Sequence, residues 1–191
     1  KATRVDGPWG SAPDFVKYGD YVALCDADEN RRNRAAELVK EWSEKMPTVH
    51  QDYRAIIDDP NIDIVHISTP EHWHAKLVIE AMLAGKDVYC EKPMTLTIDE
   101  GQKICEVCRR TGRIVQVGTQ QRSEEQFITA IALIQAGRLG KLQRVTCSIG
   151  GAPTSPELPV AAAPAGLDWN LWQGPVQAAD FRYLAGDNGE T

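Results

Sequence analysis

Lys92 stands between Glu91 and Pro93, directly after the apolar run Asp87-Val88-Tyr89-Cys90, which places an ammonium at the carboxyl end of a predicted parallel strand. Open α/β sheets bind ligands and do chemistry at that edge. A proline right after the lysine ends strand pairing and fixes φ, so the side chain is presented in one direction, most tightly if the Lys92-Pro93 bond is cis. Beside an oxygen that gains negative charge, such an ammonium donates a hydrogen bond, stabilises the charge and tunes a neighbouring base. On the tripeptide alone, a solvated lysine at a strand end is an equally good reading.

Other elements must position this loop. Upstream, Ile62 to Ser68 reads as a buried strand that runs into Thr69-Pro70-Glu71-His72-Trp73-His74 and then a helix from about Ala75 to Ala84, closed by Gly85. Downstream, Ile114 to Gly118 repeats the plan and runs into Thr119-Gln120-Gln121-Arg122. Tyr21 to Asp26 predicts an earlier strand and Asn30 to Lys45 a helix, with Ala35, Leu38, Val39 and Trp42 at helical spacing. Thr97-Ile98-Asp99-Glu100 matches a capping box, so a helix is expected from Ile98 to Thr111 with Gly112 as its stop. A further helix is expected through Phe127, Ile131 and Ile134, ending at Gly137. Strand, crossover helix, strand at this rhythm predicts an α/β fold: a doubly wound parallel sheet with helices on both faces. Gln143 to Ile149 alternates and is β-branched, and predicts the first strand of a second domain; 152–166 is rich in proline and alanine and reads as a surface loop. The expected division is therefore 1–140 for the first domain and 141–191 for the start of a second, α+β domain that the remaining residues do not complete.

The ordered set Thr69-Pro70 to His74, Glu91-Lys92-Pro93, and Val117-Gly118 to Arg122 resembles the Gfo/Idh/MocA family of NAD(P)-dependent oxidoreductases, whose members carry TPxxxH, EKP and VGxxxR loops on successive strands. Three linked motifs are far more specific than any one alone. The resemblance implies a Rossmann-type domain and a hydride transfer between NAD, or NADP, and a hydroxyl carbon of a sugar or polyol-like substrate. It implies Lys92 as the catalytic residue, with an acid and a histidine from the second domain. Thr69, Pro70, Glu71, His74, Glu91 and Lys92 become candidate cofactor contacts, although many relatives have Asn where Glu71 stands. Gln120 and Arg122 are candidates for flanking cofactor or substrate, and Trp172 for lying over the nicotinamide region. Trp169 and Trp172 can equally anchor their loop to the core. Asp26, ending the second strand of such a domain, is expected to accept hydrogen bonds from the adenosine ribose hydroxyls and to repel a 2′-phosphate. Asp28 could instead serve as the helix start, and Arg31 and Arg32 nearby could tolerate a phosphate. No G-x-G-x-x-G turn is present: Lys1 to Asp20 holds Gly7, Gly10 and Gly19 but is interrupted by Pro8 and Pro13. These residues read as the tail of a missing glycine loop, and the chain as a fragment.

Composition sets the outer bounds. A net charge of -6 with no basic block argues against nucleic acid as the main partner, and no apolar stretch approaches the roughly 20 residues of a membrane span. Cys25, Cys90, Cys105, Cys108 and Cys147 are scattered through predicted strands and helices, and Cys105-x-x-Cys108 lacks a second cysteine pair, so structural thiols in a reducing, cytoplasmic setting are expected. His72 and His74 at i, i+2 do not share a helix face as a metal pair would need, and no metal site is expected. A homo-oligomer assembled through the C-terminal domain is also expected. Two other readings stay open: NAD-dependent glycoside cleavage on the same fold, and a non-catalytic nucleotide-binding module.

Overall fold

The structure, a computed structural model, describes residues 19–148, 150–151 and 157–183. The segment read as the tail of a glycine loop lies, except for Gly19 and Asp20, outside the described residues. Strand β1 (Ala23–Cys25) is followed by α1 (Glu29–Ser43), β2 (Thr48–His50), α2 (Arg54–Ile57), β3 (Ile64–Ile67), α3 (Glu71–Leu83), β4 (Asp87–Glu91), α4 (Ile98–Thr111) and β5 (Val115–Gly118). A short 3-10 turn (Gln120–Ser123), α5 (Glu125–Gln135) and α6 (Trp169–Gln173) complete the described elements. β1 pairs with β2, and β3, β4 and β5 pair in that order; every pairing is parallel, as the strand and helix rhythm predicts.

Period-two alternation decides what each strand buries. Val65 and Ile67 on β3 and Val88 and Cys90 on β4 enter a cluster with Val78, Ala81 and Met82 of α3 and Ile104 and Val107 of α4. His66, Tyr89 and Gln116 occupy the intervening register positions. On β1, Ala23 joins that cluster, whereas Leu24 packs with Ala35, Ala36 and Val39 of α1. Burying such side chains is the main favourable term holding the strands against the helices.

Helix α4 spans the residues that the capping box predicts. Thr97 Oγ1 accepts from the Glu100 N–H (3.3 Å), Glu100 Oε2 accepts from the Thr97 N–H (2.8 Å), and Gly112 ends the helix at φ 66°. Thr97→Ala is expected to destabilise the protein by about 1 kcal/mol, read as a lowered urea midpoint at constant m-value.

Two expectations need correction. Helix α3 begins at Glu71 rather than near Ala75, because Pro70 (φ −59°) stands at its N-cap and its carbonyl accepts from the Trp73 N–H at 3.0 Å. Its fixed φ already suits the start of a helix. Residues 143–148 form no strand: their side chains are exposed and no ladder reaches them among the described residues. Alternation without a pairing neighbour does not hold a strand.

The chain divides into two compact units. One holds 19–118 and 162–181, and the other holds 119–161 and 182–183 within the described residues. The boundary expected at 140/141 falls inside the second unit, and α6 belongs to the first. No described helix is long and apolar enough to cross a membrane.

Candidate functional site

Most candidate positions of the first unit follow the carboxyl ends of β1, β3 and β4. At β1, the competition between Asp26 and Asp28 is resolved by hydrogen bonding. Asp28 caps α1, its Oδ1 accepting from the N–H groups of Asn30 (2.8 Å) and Arg31 (3.3 Å). Asp26 is thereby free of the capping role. Its Oδ1 accepts from the Asp28 N–H at 2.9 Å, and Oδ2 has no hydrogen-bond partner among the described residues. Burial, which disfavours the charged form, raises the Asp26 carboxyl above its ordinary 3.8; the bond from the Asp28 N–H and the charges of Arg31 and Arg32 oppose the rise. Arg32 Nη1 donates to the Asp26 carbonyl (3.3 Å), and Arg31 lies 3.8 Å from Asp28 Oδ2.

The raised carboxyl has a consequence for stability. In the unfolded chain Asp26 ionises near 3.8, while the folded protein holds its proton to higher pH, so ionisation opposes folding as pH rises through that range. Asp26→Asn is therefore expected to be more stable than wild type at neutral pH, with the difference vanishing well below pH 3.8. Urea melts of the two proteins at several pH values read the effect.

At β3, the Thr69 side-chain oxygen is buried and makes no hydrogen bond among the described residues. A buried hydroxyl in that state is open to a ligand or a water molecule. The Thr69 carbonyl faces His74 Nε2 at 2.8 Å, and the Pro93 carbonyl faces His74 Nδ1 at 2.7 Å. His74 is 1 % exposed, so it joins the two loops from below rather than lining their surface. Glu71 is exposed at the first position of α3.

At β4, the Lys92-Pro93 bond is cis, Lys92 is exposed, and its ammonium has no hydrogen-bond or ion-pair partner among the described residues. Glu91 Oε2 accepts from the Lys92 N–H at 3.3 Å. Glu91 pairs with Gly118 across the sheet, where a Cβ would lie 2.9 Å from Tyr89 Oη and 3.1 Å from Glu91 Oε1. Sequence reasoning missed this neighbourhood: His66 and Tyr89 meet edge to face (4.9 Å), and Ser68 Oγ lies 3.1 Å from His66 Nε2. The available signal was two polar rings at matching positions of otherwise apolar strands.

Trp172 is brought to the start of α3. Its carbonyl accepts from Trp73 Nε1 (2.9 Å) and stands 3.0 Å from His72 Nε2, while its ring stacks on Trp169 at 4.8 Å. Asp168 holds the other end, accepting from Gln51 Nε2 (2.9 Å) and from the Leu171 N–H (2.9 Å). Pro70 and Asp26 complete the candidate positions in the first unit. Gln120 and Arg122 lie in the second unit, exposed in the 3-10 turn, with the Arg122 N–H donating to the Thr119 carbonyl.

Burial pushes the Cys90 and Cys25 thiols up to about 12, helped by the negative charges of Glu91 and of Asp26 and Asp52 respectively. Both therefore stay protonated and unreactive. Cys108 Sγ donates to the Arg113 carbonyl at 3.2 Å. Among the described residues, no cluster of three or more His, Cys, Asp or Glu could hold a metal ion.

Comparison with known proteins adds to this geometry. Residues 7–119 match the family described as an oxidoreductase family with an NAD-binding Rossmann fold. The chain is 36% identical over 122 residues to scyllo-inositol 2-dehydrogenase (NAD(+)) of Bacillus subtilis (strain 168), covering 63% of this chain and 34% of that protein. It is 29% identical over 124 residues to an α-N-acetylgalactosaminidase of Shewanella oneidensis, covering 63% and 27%. The crystal structure of myo-inositol 2-dehydrogenase from Lactobacillus plantarum superimposes with a TM-score of 0.57 at 30% identity, covering 63% of this chain and 34% of that one. The chain thus spans about a third of the length of the curated relatives it matches.

Proposed function

The chain belongs to the GFO/IDH/MocA oxidoreductase family with its NAD-binding Rossmann fold, and from that premise we propose that the protein moves a hydride between NAD and a hydroxyl carbon of a sugar or polyol. The observation that carries the reading is Lys92: an exposed ammonium without a partner among the described residues, at the carboxyl end of a parallel strand. The residues present also fit the cofactor. Asp26 offers an open carboxylate oxygen for ribose hydroxyls, and the buried Thr69 hydroxyl has no partner among the described residues. NAD, when bound, supplies the hydride acceptor. The chain's own part is electrostatic and positional: Lys92 donates a hydrogen bond to the substrate hydroxyl and stabilises the negative charge that grows on its oxygen as the proton leaves. Asp26 favours NAD over NADP by repelling a 2′-phosphate.

The test is a screen of inositols and other polyols for NAD reduction, followed at the nicotinamide absorbance, with NADP in parallel. Reduction that requires Lys92 supports the reading; absence of NAD binding removes it. A second reading, NAD-dependent glycoside cleavage, is supported by the Shewanella relative's name. There the cofactor is regenerated within each turnover, so glycoside loss without net NADH would select it.

A further inference from the structure

We infer that His74 is a positioning residue whose imidazole ring donates from both nitrogens at once, tying the threonine loop after β3 to the lysine loop after β4. The inference rests on the functional reading above, because the two loops it joins are the proposed cofactor and catalytic loops. Each ring nitrogen faces a backbone carbonyl: Nε2 that of Thr69 at 2.8 Å and Nδ1 that of Pro93 at 2.7 Å. A carbonyl oxygen only accepts, and a neutral imidazole has one donor and one lone pair. With a neutral ring, one of these contacts would set two lone pairs against each other at hydrogen-bond distance inside the protein. A ring bearing both N–H groups satisfies both carbonyls, and the two oxygens in turn stabilise its buried charge.

The same solution appears elsewhere in this unit. Lys86, 3 % exposed, donates from Nζ to the carbonyls of Asp59 (2.5 Å) and Ile62 (2.8 Å). There too a buried cation binds together backbone from one loop end and the next strand's entry. The difference is location. The Lys86 contacts gather backbone at the amino end of β3, whereas those of His74 gather backbone at the carboxyl ends of β3 and β4. Thr69 carries the orphaned hydroxyl, and Pro93 follows Lys92 directly, so the ring sets the spacing between a cofactor contact and the catalytic ammonium.

The ring can be read without any turnover. In long-range ¹H–¹⁵N spectra the four histidines give four ring patterns; the one lost in the His74 variants should show both nitrogens protonated in the buffer used for cofactor titration. A pattern with one protonated and one bare nitrogen overturns the inference. Two isosteres then separate positioning from simple support of the fold. His74→Asn keeps a donor near Nδ1, so the Pro93 bond is retained and the threonine loop is freed; NAD affinity should fall by about tenfold with a smaller change in kcat. His74→Gln keeps a donor near Nε2 and frees the lysine loop; kcat should fall by about tenfold with a smaller change in NAD affinity. Equal losses in both variants, or none, also overturn the positioning role. Failure of the oxidoreductase reading looks different: wild-type protein then binds no NAD while the ring pattern is unchanged.

Discussion

Replacing Lys92 by alanine is expected to lower turnover by about a thousandfold, the scale set by losing one positioned donor that acts on developing charge. Lys92 is exposed and makes no ion pair among the described residues, so its removal should leave thermal stability nearly unchanged, within about 0.5 kcal/mol. Its side chain is also outside the contacts that fix Asp26 and Thr69, and NAD affinity should stay close to wild type. The informative result is this separation: kcat falls, while calorimetric NAD binding and the melting transition do not move. Lys92→Arg keeps the charge but spreads it over a planar fork that cannot occupy the same point, so it should restore only part of the activity. An alanine variant with wild-type kcat would remove Lys92 from the chemistry.

Local signals made several elements legible, and contacts between distant segments hid others. The box Thr97-x-x-Glu100 and the stop at Gly112 fix α4, because caps depend on residues a few positions apart. Thr69 and Lys92 could be placed at strand ends by the same local logic, since an apolar run followed by a turn residue marks where a strand stops. The start of α3 is less legible: apolar spacing points to Ala75, whereas the helix begins four residues earlier because Pro70 stands at its entrance. His74 shows the limit most clearly. Its motif position pointed toward cofactor, yet its partners are Thr69 and Pro93, the second of them 19 residues away and brought close by β3 and β4 pairing. Asp26 lies between these cases: its strand-end position is local, but its freedom from capping follows from which of two aspartates reaches the α1 N–H groups.

Gly174→Ala is expected to destabilise the first unit by about 3 kcal/mol, from backbone strain and steric overlap together. Gly174 ends α6 at φ 57° and ψ −123°, a conformation that an L-residue with a side chain resists. A Cβ there would lie 2.2 Å from Trp73 Cε2 and Cζ2 and 2.7 Å from Nε1, far inside van der Waals contact. The indole has little room to yield. It is buried, meets Tyr53 edge to face at 5.4 Å, and donates Nε1 to the Trp172 carbonyl at 2.9 Å. The methyl must therefore displace α6, and with it the Trp172 carbonyl from Trp73 and His72. Gly85→Ala provides the control: its φ is also positive, at 81°, but a Cβ there meets nothing within 4 Å, so strain acts alone and costs about 1 kcal/mol. Urea denaturation followed by tryptophan fluorescence compares the two. If Gly174→Ala loses no more stability than Gly85→Ala, then α6 does not rest on Trp73, and the aromatic segment is not anchored at the entrance of α3.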